Sequence, residues 1–180
     1  KMSKSLGNFF TTREVADKFG YEPIKFMMLQ SHYRSPINYS LDVIEQCKSA
    51  LERLYTCRDN LDFAIKNAVS ETTYEDKEFM AKVDGHKAKF IEVMEDDLNT
   101  ADAIAAIFEL VKDINTFIAS PRSKEALEYA AKIFDELTDV LGILYNRKDT
   151  SLDKEIKEMI EKRQAARKAR DFKTADAIRD

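Results

Sequence analysis

From Ser40 to Leu144, apolar side chains recur three or four positions apart in four runs separated by short polar breaks. That spacing puts them on one face of an α-helix and excludes the two-residue alternation of a half-buried strand. The first run, Ile44, Cys47, Leu51, Leu54, Leu61, Ile65 and Ala68, follows Ser40, a good N-cap, and predicts a helix of about thirty residues. After a break at Ser70 to Thr73, a second helix carries Phe79, Val83, Phe90 and Met94, is mildly interrupted by Gly85, and ends near Glu95-Asp96-Asp97. Asn99 or Thr100 caps a third, with Ile104, Ile107, Phe108, Val111, Ile114 and Ile118, which Ser120-Pro121 stops. Ser123 caps a fourth through Leu127, Ile133, Phe134, Leu137, Val140, Leu141 and Leu144.

Four such helices, run antiparallel, close one core. Only 4 Gly and 3 Pro in 180 residues leave little punctuation for strands and hairpins, so the fold class is all-α. Ahead of the bundle the elements are shorter. Thr12 is expected to cap a short helix that stops at Gly20, with Phe9 and Phe10 anchoring its base. Pro23 suits the first turn of a second short helix through Ile24, Phe26, Met27 and Leu29, followed by a polar connector from Ser31 to Ser40. Beyond Asn146 the composition turns almost wholly charged, leaving Ile156, Met159 and Ile160 for a peripheral last helix. The expected organisation is therefore 1–40 as loop and connector, 41–146 as bundle, and 147–180 as the start of a basic C-terminal region.

A net charge of −4 with alternating signs creates no global attraction for a polyanion, so any nucleic-acid contact must be a local patch. Cys47 and Cys57, ten apart in one helix, cannot pair with each other and suit a reducing, cytoplasmic setting. No apolar run approaches the roughly 18 residues of a membrane span. The chain opens on Lys rather than Met and goes at once into a dense motif, as expected of a stretch that begins inside a longer protein.

That motif is Lys1-Met2-Ser3-Lys4-Ser5, with Gly7 close behind. Two ammonium groups three apart, hydroxyl donors and unhindered backbone can converge on a phosphate chain, although a lone KxxK is usually a solvated charge pair. The full string resembles the KMSKS signature of class I aminoacyl-tRNA synthetases, which implies a mobile loop closing on ATP. By that resemblance Lys4, with Lys1, offsets the charge that develops as a carboxylate attacks the α-phosphate. Ser3 and Ser5 either join in binding ATP or simply shape the turn beside Gly7-Asn8.

Three further segments, Ser31-His32-Tyr33-Arg34-Ser35-Pro36-Ile37-Asn38-Tyr39-Ser40, Glu95 to Ala103, and Arg167 to Asp180, resemble cysteinyl-tRNA synthetases, so the likeness covers nearly the whole chain. The resemblance implies activation of L-cysteine by ATP with Mg2+, transfer to tRNA(Cys), and a monomeric, zinc-containing cytoplasmic enzyme. The Zn2+ ligands, the partner nucleotide signature and the family's final small domain lie outside this stretch. The stretch alone is expected to be inactive.

The residues leave structural alternatives open. His32 reads as a hydrogen-bonding connector residue rather than a metal ligand. Tyr33 and Arg34 either contact RNA ribose and phosphate or staple the connector to the bundle, the second being favoured. Asp96-Asp97 reads as negative charge at a helix N-terminus rather than a magnesium or acid/base site. Arg163, Arg167, Lys168 and Arg170 lie in a basic stripe that suits an RNA backbone or an ordinary solvated helix face. Two rival functions remain at this level: a related ligase joining cysteine to an amino sugar, and a non-catalytic helical RNA-binding module.

Overall fold

The structure, a computed structural model, describes residues 11–147. The chain divides into two compact units, Lys1–Tyr145 and Asn146–Asp180, and almost all of the described residues belong to the first. Lys1, Ser3, Lys4, Ser5, Phe9 and Phe10 lie outside the described residues. So do Arg163, Arg167, Lys168, Arg170 and the expected last helix.

Six helices are present among the described residues: α1 (Thr12–Phe19), α2 (Tyr21–Leu29), α3 (Leu41–Lys66), α4 (Tyr74–Glu95), α5 (Thr100–Phe117) and α6 (Lys124–Leu141). The class is all-α, as the periodicity requires. Each bundle helix begins where a short polar side chain can take an otherwise unpaired amide: Ser40 accepts from Val43, Thr73 from Asp76, Asn99 from Asp102 and Ser123 from Ala126. Such caps are worth about 1 kcal/mol each.

The details differ from the sequence reading at four points. The cap of α1 is Thr11, not Thr12, because Glu14 stands three residues after Thr11 and returns a 2.7 Å bond to its amide, completing a reciprocal capping box. Helix α4 runs unbroken through Gly85, where intrahelical bonding on either side outweighs one flexible residue. Val140 is exposed, and Ile143 and Leu144 beyond the helix are buried in its place, because Gly142 turns the chain back at φ 61°. Asp96 and Asp97 do not cap α5; Asp96 ends α4, and Asn99 with Asp102 serves the N-terminus of α5.

Contacts fix how the helices run. Phe79, early in α4, stacks on Phe117, at the end of α5, with ring centroids 3.7 Å apart, so these two are antiparallel. Asp84 meets Tyr129 and Lys87 meets Glu136, so α4 and α6 run the same way. Arg58 forks onto Asp135 at 2.9 and 3.1 Å, and Val69 bridges Ser123, so α3 opposes α6. Directions therefore alternate along the chain. Helix α3 packs on α5 and α6, and α4 packs on the same two, which leaves consecutive helices α3 and α4 on opposite sides of the core. Ile44, Leu54, Leu61, Val83, Ile114 and Phe134 meet there, all fully or nearly fully buried. A side chain of this kind contributes about 1.5–3 kcal/mol on burial.

A buried carboxylate joins the short helices to this core. Glu22 on α2 is 5% exposed and accepts from the Leu144 amide at 2.5 Å and the Tyr55 hydroxyl at 2.8 Å, tying α2 to α3 and to the strap after α6. One turn along α2, Lys25 donates to the Gly142 carbonyl at 2.7 Å.

Candidate functional site

The connector after α2 ends in a tight cluster on the turn between α4 and α5. That turn holds two successive left-handed residues, Asp97 at φ 57° and Leu98 at φ 55°. An aspartate tolerates this region, but a leucine there costs roughly 1–2 kcal/mol. The bend is held because the Leu98 and Asn99 amides reach back to the carbonyls of Met94 and Val93, both at 3.2 Å. Thr100 then donates its hydroxyl to the Leu29 carbonyl at 2.7 Å, satisfying the last turn of α2 and fixing it against the start of α5.

So placed, the Asp97 carboxylate collects three connector side chains. Tyr33 donates its hydroxyl to Oδ1 at 2.7 Å, and Arg34 Nη2 donates to the same oxygen at 3.2 Å. Arg34 Nε donates to the Tyr33 hydroxyl oxygen at 2.9 Å, closing a three-membered ring of contacts. His32 stacks on Tyr33 with centroids 4.8 Å apart and accepts the Arg34 amide at Nδ1, 3.3 Å away. Its Nε2 faces Asp97 Oδ2 at 3.7 Å. The hydrogen bond to Asp97 raises the Tyr33 pKa above its ordinary value, so the phenol stays protonated and donating.

These contacts give His32 a hydrogen-bonding role in the connector and give Tyr33 and Arg34 a stapling role. They do not use up the arginine. Its side chain is 69% exposed, and three of its five N–H groups have no protein partner among the described residues. The missed residue is Asp97, whose partners stand more than sixty positions away and leave no local signal.

Along the bundle, a groove of about 610 Å3 between α3 and α5 is lined in part by Arg53, Asn60, Lys112 and Asn115. The Arg53 guanidinium lies over the Phe108 ring, 4.9 Å from its centre. The two cysteines are buried and free; burial pushes the Cys57 thiol up to about 12 and the Cys47 thiol up from its ordinary value, so neither is a thiolate nucleophile near neutral pH. Among the described residues no three His, Cys, Asp or Glu side chains come together as a metal site, and no helix is long and apolar enough to cross a membrane.

Residues 1–49 match the family described as tRNA synthetases class I (C) catalytic domain, and residues 89–145 match the DALR domain. The chain is 52% identical to a cysteine-tRNA ligase of Caldicellulosiruptor saccharolyticus, aligned over 100% of this chain and 39% of that protein. It is 45% identical to the cysteine-tRNA ligase of Clostridioides difficile, over 99% of this chain and 39% of that one. For the cysteine-tRNA ligase of Lachnospira eligens the figures are 46%, 100% and 38%. The chain thus spans about two fifths of the length of these relatives. A LeuRS chain from a crystallised LeuRS-tRNA-LeuAMS complex of Agrobacterium radiobacter shares the fold, with a TM-score of 0.58 at 24% identity, over 80% of this chain and 21% of that one.

Proposed function

We propose, for a chain that belongs to the cysteine-tRNA ligase family, that it supplies the ATP-phosphate loop and the tRNA-holding helices of a ligase charging tRNA(Cys) with L-cysteine. The observation that carries this reading is the alignment of essentially all of this chain with about two fifths of cysteine-tRNA ligases at 45–52% identity. In the reaction, the cysteine carboxylate attacks the α-phosphate of ATP, an oxygen-phosphorus bond forms, and pyrophosphate leaves with the electrons of the broken bond. The terminal ribose hydroxyl of tRNA(Cys) then attacks the acyl carbon, and AMP departs. Lys4, assisted by Lys1, meets the charge gathering on the leaving pyrophosphate, an interaction stronger in the transition state than in the ground state. Ser3 and Ser5 donate to the phosphate oxygens.

In this reading residues 1–40 close the rim of the catalytic domain, 41–146 hold the tRNA, and 147–180 begin the anticodon-end region. Tyr33 and Arg34 present a ring and a guanidinium to ribose and phosphate, as do Arg163, Arg167, Lys168 and Arg170 farther along. The α3–α5 groove, with two cations and two amide side chains, has the donors that a phosphodiester backbone accepts from. ATP arrives with Mg2+. In this reading the Zn2+ of the whole enzyme is held by residues outside this stretch, and the ligase is monomeric and cytoplasmic.

The test is made on the complete ligase that contains this sequence. Cysteine-dependent exchange of pyrophosphate into ATP should fall by at least about 100-fold in Lys4→Ala, the scale of losing one transition-state charge partner. Charging of a cysteine tRNA transcript separates this reading from the amino-sugar ligase, which forms the same adenylate. A protein that exchanges pyrophosphate but charges no tRNA would sink the proposal.

A further inference from the structure

The geometry points to Asp97 as a positioning residue: from the strained turn between α4 and α5 it holds Tyr33 and Arg34 so that the open edge of the guanidinium is presented to an RNA phosphate. This rests on the reading of Tyr33 and Arg34 as RNA contacts and adds a residue from a distant segment to that same site.

Three observations carry it. First, an unrestrained arginine samples many rotamers, and ordering it on contact with RNA costs free energy that a prior anchor removes. Arg34 has two anchors, the Asp97 carboxylate and the Tyr33 hydroxyl, and Asp97 also accepts from that hydroxyl. Second, the anchors consume only Nε–H and one Nη2–H. The three N–H groups left over, two on Nη1 and one on Nη2, are the fork that suits two phosphate oxygens. Third, Asp97 meets the connector from a backbone in the left-handed region, which continues at Leu98, an exposed leucine that gains no burial from the conformation. Local strain kept at an exposed turn is a mark of a geometry maintained for a purpose other than packing.

The charges set up a test by sign. Asp97 is an anion beside a site offered to an anion, with Glu95 and Asp96 close in the chain. If Asp97 acted only through its charge, removing it would tighten RNA binding. If it positions Arg34, removing it weakens binding in spite of the lost repulsion.

The experiment measures binding of a cysteine tRNA transcript to the full chain by fluorescence anisotropy across a salt series, for wild type, Arg34→Ala, Asp97→Ala, Asp97→Asn and the Arg34→Ala/Asp97→Ala pair. Helix content and melting are followed by circular dichroism. Arg34→Ala should weaken binding about fivefold and lower the salt slope by about one. Asp97→Ala should weaken it about threefold with a smaller slope, and should cost nothing further once Arg34 is gone. Asp97→Asn keeps an acceptor for Tyr33 and Arg34 and should stay within about twofold of wild type, so the proposal remains testable even if the alanine variant folds poorly. Unchanged or tighter binding in Asp97→Ala, or an equal loss in the Arg34→Ala background, overturns the positioning role. Unchanged binding in Arg34→Ala overturns the RNA-contact reading beneath it.

Discussion

Replacing Glu22 by alanine tests whether one buried carboxylate joins the short N-terminal helices to the bundle. In the folded chain Glu22 accepts from the Leu144 amide at 2.5 Å and the Tyr55 hydroxyl at 2.8 Å, and Leu144 itself is 3% exposed. Hydrogen bonds to a charged acceptor are worth about 1.5–3 kcal/mol each, and a buried amide left without a partner keeps its full desolvation penalty. The two losses overlap with the gain from no longer burying a charge, so we expect a net cost of about 3 kcal/mol. With a urea dependence of about 2 kcal/mol per molar for a domain of this size, the unfolding midpoint should fall by about 1.5 M at unchanged slope. Glu22→Gln keeps one carbonyl for the Leu144 amide, and its NH2 can donate to a rotated Tyr55 hydroxyl, so its cost should stay near 1 kcal/mol. Urea titrations followed by circular dichroism measure both. A shift below about 0.5 kcal/mol for Glu22→Ala, or equal damage from the two variants, would refute the reasoning.

Gly142→Ala should cost about 1.5 kcal/mol, read as a melting-point drop near 5 °C, because φ 61° is unfavourable for alanine and the new Cβ would run into Lys25 Nζ, expelling the lysine from its carbonyl. An unchanged melting temperature would show that this turn does not hold α2. The Cys57 thiol, pushed by burial from 9.0 to about 12, is protonated in the folded chain at pH values where the unfolded chain has lost that proton. Its contribution to stability is therefore whole below pH 9 and is lost as pH rises from 9 toward 12, at up to about 1.4 kcal/mol per pH unit. Cys57→Ala should flatten the alkaline limb of a stability-against-pH curve, and identical limbs would contradict it.

Local rules made much of this fold readable. Ser40, Asn99 and Ser123 announce helices because a cap and its target amide are two or three residues apart, and the apolar period names the buried face. The sequence reading starts α1 one residue late because Thr11 and Thr12 look alike until Glu14 chooses between them. What stayed hidden is long-range. Glu22 reads as one more solvated glutamate, and nothing near it in sequence foretells an amide 122 residues away. Asp97 reads as helix-end charge for the same reason: its true partners are fixed by how α2 meets the α4–α5 turn, which no periodicity encodes. For the candidate site, the string Lys1 to Ser5 and the Ser31 to Ser40 segment are legible as motifs, whereas the gathering of His32, Tyr33 and Arg34 on Asp97 depends on packing.

The placement of α3 and α4 on opposite sides of the core has a consequence for how the chain is made. A growing chain that has reached Glu95 holds both helices, yet neither has its main bundle neighbour, because α5 and α6 are what each packs against. At about 5–20 residues per second, synthesis of the stretch from 67 to 141 takes on the order of 4–15 s. Through that interval α3 leans only on α2, and its apolar stripe faces water or a chaperone. The bundle then assembles late and together, with α5 and α6 arriving as a wedge between helices made before them, so truncation within α5 should cost the whole bundle rather than only the helices removed.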